Sequence, residues 1–187
     1  MGKANFTKYF IFIFLVVSAI ISSCQKDQDI KTDPGKADSA LIAPDNYLAT
    51  GGTLSITIQD STYNFDAAHD SVAFVNVHSG DSLYYGITDI NKAHNMSFGI
   101  SSIGHAFSNI ITPVAGSQFI LKPDNQPAHQ YALADKVVDQ DFGKIKITSY
   151  KQDSTLAKGT FYTFLANGDV GKTAPVKVTG TFNLRLK

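Results

Sequence analysis

Val176-Lys177-Val178-Thr179-Gly180-Thr181-Phe182-Asn183-Leu184-Arg185-Leu186 decides the fold class of this 187-residue chain. At a period of two, Val176, Val178, Phe182, Leu184 and Leu186 fall on one side. Lys177, Thr179, Thr181, Asn183 and Arg185 fall on the other. That alternation belongs to a strand with one face on a core and the other in water.

The same period recurs upstream. Lys144-Ile145-Lys146-Ile147-Thr148 and the run from Leu156 to Leu165 form two more strands, separated by turn-rich segments. Thr53-Leu54-Ser55-Ile56-Thr57-Ile58-Gln59 alternates, and Asp60-Ser61 turns it into Thr62-Tyr63-Asn64-Phe65 as a hairpin. Ser71 to His78 is apolar on both faces, which predicts a central strand. Ser79-Gly80-Asp81 is a turn before Ser82 to Thr88, and Asn95 to Ser101 alternates through Met96, Phe98 and Ile100. Gln118 to Leu121 and Gln130 to Leu133 flank a turn at residues 122–127, and residues 134–142 read as a short helix or a loop. All 16 acidic residues are aspartate, which favours caps and turns where glutamate would favour helices. The expectation is an all-β domain over residues 50–187, an antiparallel β-sandwich or open barrel of about nine or ten strands.

Outside that domain the chain changes character. Residues 1–23 carry Lys3 and Lys8, no acid, an apolar run from Tyr9 to Val17 and then Ser18 to Ser23. That is the order of a secretory signal peptide, too short for a comfortable bilayer span. Ile21-Ser22-Ser23-Cys24 resembles a bacterial lipobox, which implies that Cys24, the one cysteine, is lipidated and begins the mature protein. One acyl chain binds membranes only marginally, at about 0.8 kcal/mol per buried methylene, and the two or three chains of a lipoprotein, palmitate among them, anchor it durably. Residues 24–49 read as a polar, flexible tether, and Lys26-Asp27-Gln28-Asp29 resembles the charged export signal of surface lipoproteins.

Gly-Thr-Phe occurs at 159–161 and again at 180–182, after Ile145-Lys146-Ile147-Thr148-Ser149-Tyr150. With the opening hairpin from Leu54 to Tyr63, this tail resembles small Bacteroidota lipoproteins that carry a β-rich domain of unknown function. The resemblance implies an outer-membrane location in a Gram-negative bacterium, facing the periplasm or the outside, and supplies no catalytic residue. Two glycines 21 residues apart on neighbouring strands are read as one curved region of sheet.

The search for chemistry returns little. Lipidation would consume the only thiol, and Arg185 is the only arginine in a chain of formal charge zero, so no basic patch points to nucleic acid. His69, His78, His94, His105 and His129 have no short metal-ligand spacing, although His94 and His105 could converge in the fold. Gly99-Ile100-Ser101-Ser102-Ile103-Gly104 misses the nucleophile-elbow pattern by one residue. Asp139-Gln140-Asp141-Phe142-Gly143 offers two carboxylates to a cation such as calcium, but reads first as an Asp/Gly turn. Asn167-Gly168-Asp169 reads as another turn. Tyr63, Tyr84, Tyr85, Tyr131, Tyr150 and Tyr162 could stack on a glycan. Tyr84 and Tyr85, which must face opposite sides of a strand so that at least one is exposed, are the candidate ligand-contacting aromatics. The sequence therefore predicts a lipid-anchored envelope lipoprotein that is a non-catalytic binding or structural module, with no cofactor. Its partners are the membrane through Cys24, and envelope proteins or glycans. The alternatives are a glycan-binding surface accessory protein and a small envelope hydrolase with an aspartate–histidine site.

Overall fold

The computed structural model describes residues 46–167 and 174–186. Cys24, the signal at 1–23, the tether up to residue 45 and the Gly168-Asp169 turn lie outside the described residues. Eleven strands make up the fold: β1 (Tyr47–Leu48), β2 (Gly51–Ile58), β3 (Ser61–Asp66), β4 (Ser71–Ser79), β5 (Ser82–Ile90), β6 (Met96–Ile103), β7 (Ile110–Leu121), β8 (His129–Leu133), β9 (Gly143–Gln152), β10 (Thr155–Asn167) and β11 (Val176–Arg185). Residues 134–142 hold only a single 3-10 turn, Val138–Gln140.

All pairings are antiparallel, in the order β1-β4-β5-β6-β7-β8-β10-β11-β2-β3. β9 shares the place of β8: the start of β7 pairs with β9 and its end with β8, and β10 spans both. The two ends of the sheet meet through the chain itself. Between β1 and β2, the Ala49 amide donates to the Val72 carbonyl at 2.9 Å and the Thr50 amide donates to the Arg185 carbonyl at 3.0 Å. The strand pair β1/β2 thus bonds to β4 on one side and β11 on the other, and the sheet curls into a barrel-like wall around one core.

That core takes the residues the alternation singles out. Leu54, Ile56 and Ile58 of β2, Ile145 and Ile147 of β9, and Val178, Phe182 and Leu184 of β11 are all buried. Ring pairs cross the interior between strands that are not neighbours: Phe98 of β6 with Phe161 of β10 at 5.3 Å, and Phe74 of β4 with Tyr150 of β9 at 5.0 Å. Opposite walls therefore press directly on each other, and no room is left for a lumen at that level.

The two Gly-Thr-Phe tripeptides are each other's partners. Gly159 stands opposite Phe182, Thr160 opposite Thr181, and Phe161 opposite Gly180. A β-carbon on Gly159 would lie 2.6 Å from Cζ of Phe182, and one on Gly180 would overlap the Phe161 ring and lie 2.6 Å from the Ser55 carbonyl oxygen. Each ring thus covers the bare backbone of the opposite glycine, a reciprocal form of aromatic cover for strand glycine. The two glycines share one region of paired strands, and at Gly159 the Lys146 carbonyl oxygen crowds a β-carbon as well as the Phe182 ring.

Three readings need correction. Tyr47 and Leu48, assigned to the tether, pair with Phe74 and Ala73, so the folded domain starts before residue 50. β4, expected as a central strand, lies next to last in the sheet order beside the two-residue β1, and it is not buried on both faces, since Val77 is 48% exposed on the outer side. β7 begins eight residues earlier than the Gln118 of the sequence reading. Pro113 and Gly116 hide that first half, where a bulge opposite Ser101 and Ser102 absorbs the irregularity.

Candidate functional site

Three connections converge at the end of the barrel where the chain enters at Asn46. They are the β4–β5 hairpin, the β6–β7 loop and the β9–β10 hairpin, and a cleft of about 250 Å³ opens between them. Asn76, His78 and Leu83 come from the first, His105, Ala106 and Phe107 from the second, and Tyr150 and Lys151 from the third.

Local hydrogen bonds fix each wall. The Gly104 amide donates to the Leu83 carbonyl at 2.8 Å, which lays the loop against β5. The Tyr150 amide donates to the Ser108 hydroxyl at 2.9 Å, tying that loop to β9. The Asn76 amide donates to the Asn46 side-chain oxygen at 2.6 Å, which brings the entering chain to the rim. Lys151 has a φ of +47°, in the left-handed region that non-glycine residues avoid. Strain of this kind persists where the surroundings enforce a placement, and it collects at binding sites.

The Lys151 ammonium is the charged group of the cleft. It donates to the Tyr47 hydroxyl at 2.5 Å, stands 4.0 Å from the Tyr47 ring centroid and 5.4 Å from that of Tyr150. Burial acts to lower its pKa, but the Tyr47 hydroxyl and the two tyrosines outweigh it, so the pKa is raised and the cation persists. No carboxylate lines the cleft, and the one ion pair among the described residues is remote, between His69 and Asp66 at 2.8 Å. Asp81 and Asp153 occupy the two hairpin tips nearby without lining it. Two imidazoles and the ammonium face solvent, beside Phe107 at 59% exposure. Such a site accepts an anionic group flanked by apolar surface.

The sequence-predicted candidates fall elsewhere. Tyr85 is buried to 1% exposure and its hydroxyl bonds Thr112 Oγ1, so it is not a ligand platform. The inward period Tyr85, Ile87, Asp89 puts it in the core, and Tyr84 is half-buried on the outer face. His94 and His105 stand at the two ends of β6, roughly 25 Å apart at strand rise, and do not converge. His105 instead shares the cleft with His78, a pairing no sequence spacing reveals. Asp141 accepts from the Tyr162 hydroxyl at 2.7 Å, which holds its carboxyl below the usual range. Asp139 is exposed on the turn, and no group of three metal-ligating side chains exists among the described residues. The segment is a turn braced on β10.

One group was missed outright. Asp89 is 1% exposed, faces the core from β5 between Val72 and Phe98, and neither carboxylate oxygen makes a hydrogen bond among the described residues. Burial and then the charge of Asp70 push its pKa up to about 8, with the Ile90 amide acting the other way. At neutral pH it is an acid held in its protonated form.

No protein-family model matches the chain, and comparison with curated proteins and with solved structures returns no match.

Proposed function

We propose that the chain is a lipid-anchored lipoprotein of the Gram-negative outer membrane whose β domain is a non-catalytic binding module, with the Lys151 cleft as its contact site. The observation that carries the reading is an uncompensated cation beside exposed aromatic surface, at the end where the polar segment from Cys24 enters the fold. Burial of Tyr85 removes it as a glycan platform and leaves Tyr84, half-buried on the outer face, as the aromatic of that alternative. The Ile21-Ser22-Ser23-Cys24 motif supports the anchor.

The anchor is tested by growing cells with an alkyne-tagged palmitate. The wild-type chain takes the label, and the Cys24→Ser variant loses it and the membrane association of a lipidated chain. Label retained in that variant would refute the anchor. Protease treatment of intact cells then separates surface display, in which the domain is cut, from a periplasmic orientation, in which it survives until lysis.

A further inference from the structure

We infer that the cleft end of the barrel docks on the bilayer that holds the anchor, with Lys151, His78 and His105 receiving a lipid headgroup phosphate and Phe107 entering the interface. The inference rests on the lipid anchor proposed above and names the partner of the same cleft.

Geometry and connectivity carry it together. About 22 residues of sequence separate Cys24 from Asn46, so the proposed anchor joins the fold at the cleft end. Asn46 and Tyr47 form part of the cleft rim through their bonds to Asn76 and Lys151. The apolar surface at this end is exposed. Phe107 (59%) lines the cleft, and on the outer face of the wall beside it Val77 (48%), Tyr84 and Ile103 (57%) form one row across β4, β5 and β6. A cation without a carboxylate partner, with Phe107 in the same cleft and an exposed apolar row on the wall outside it, matches an anionic interface with hydrocarbon beneath it.

The volume agrees with this occupant. Sites for drug-sized ligands start at roughly 300 Å³, so a cleft of about 250 Å³ takes one small group, such as a headgroup, rather than a chain of sugars. The contact need not be strong. A short tether holds the domain at an effective concentration on the order of millimolar, so an affinity too weak to recruit a free protein still docks a tethered one.

The chain contains no tryptophan, which gives a clean reporter. The lipidated full chain carrying Phe107→Trp is reconstituted into vesicles of brominated phosphatidylglycerol and, separately, of brominated phosphatidylcholine. Thr181→Trp, on the exposed face of β11, is the control. Docking predicts quenched, blue-shifted emission from Phe107→Trp in phosphatidylglycerol and little from Thr181→Trp. Adding Lys151→Ala lowers the docked-to-free ratio about fivefold, the factor for one lysine at an anionic surface, and Lys151→Arg restores it. Unquenched emission from a chain that floats with the vesicles would overturn the docking and leave the anchor intact. Equal quenching in both lipids, or no effect of Lys151→Ala, would overturn the headgroup assignment. Failure to float would overturn the anchor and the docking with it.

Discussion

Asp89→Asn should abolish a pH dependence of stability that the wild-type chain owes to one buried carboxyl. The folded pKa of about 8 stands against 3.8 for the exposed group. Between those values the folded state holds a proton that the unfolded state has released, so stability falls as pH rises. The slope is roughly 1.4 kcal/mol per pH unit, and the loss over the window is on the order of 5 kcal/mol. Below pH 4 both states are protonated, and above pH 8 both are ionised, so the curve is flat at each end. Asparagine has nearly the same shape and does not titrate. It brings an offset for its own buried amide, and that offset does not change with pH. The assay is urea unfolding of both chains from pH 4 to pH 9, read as the difference in midpoint, in which other titrating groups cancel. At a urea slope of about 2 kcal/mol per molar, Asp89→Asn should gain about 2.5 M relative to wild type across the window. A difference in midpoint independent of pH would refute the reasoning, because it would mean that Asp89 reaches water or a partner in the folded state.

Gly180→Ala should cost about 2–3 kcal/mol, the upper part of the range for overpacking, because a methyl there meets both the Phe161 ring and the Ser55 carbonyl. Gly51→Ala, with open space around its β-carbon, should stay within about 0.5 kcal/mol, and equal shifts in urea midpoint for the two variants would refute the ring-over-glycine account. Combining Gly180→Ala with Phe161→Leu should cost less than the sum of the separate losses by about 0.5 kcal/mol or more, a coupling read from the double-mutant cycle. Tyr85→Phe should cost about 1–1.5 kcal/mol in the same assay, from the lost hydroxyl contact with Thr112 across the interior; no loss would mean that water replaces it.

The wall of the barrel was legible and its closure was not. Alternation at residues 53–59, 144–148 and 176–186 names the buried side of each strand because a sheet face repeats every two residues. Nothing in that period says that Ala49 and Thr50 would bond opposite neighbours and join the two ends of the sheet. The two-residue strand at Tyr47–Leu48 carries too little pattern to register. Asp89 escaped for a related reason. In Gly86-Ile87-Thr88-Asp89-Ile90 an aspartate near a strand end reads as the start of a turn, and only the inward phase set by Tyr85 and Ile87 places it in the core.

The cleft was the least legible feature, because it is assembled from three separate connections. Its lining comes from residues 76–83, 105–107 and 150–151, which no local window spans. They meet because the β4–β5 hairpin, the β6–β7 loop and the β9–β10 hairpin lie at the end of the barrel where Asn46 enters. At that seam between the entering chain and the loops, side chains make the ties: the Asn46 side-chain oxygen accepts from the Asn76 amide, and the Tyr47 hydroxyl accepts from Lys151. A charge placed at such a seam touches the entering chain and the loop cluster at once. Replacing Tyr47 with phenylalanine removes the hydroxyl and keeps the ring, which separates the two roles. If the hydroxyl positions the ammonium, Tyr47→Phe should weaken the lipid-dependent quenching of Phe107→Trp while the urea midpoint moves by no more than the roughly 1 kcal/mol of one exposed hydrogen bond. Quenching that survives Tyr47→Phe unchanged would show that the ring alone holds Lys151 in place.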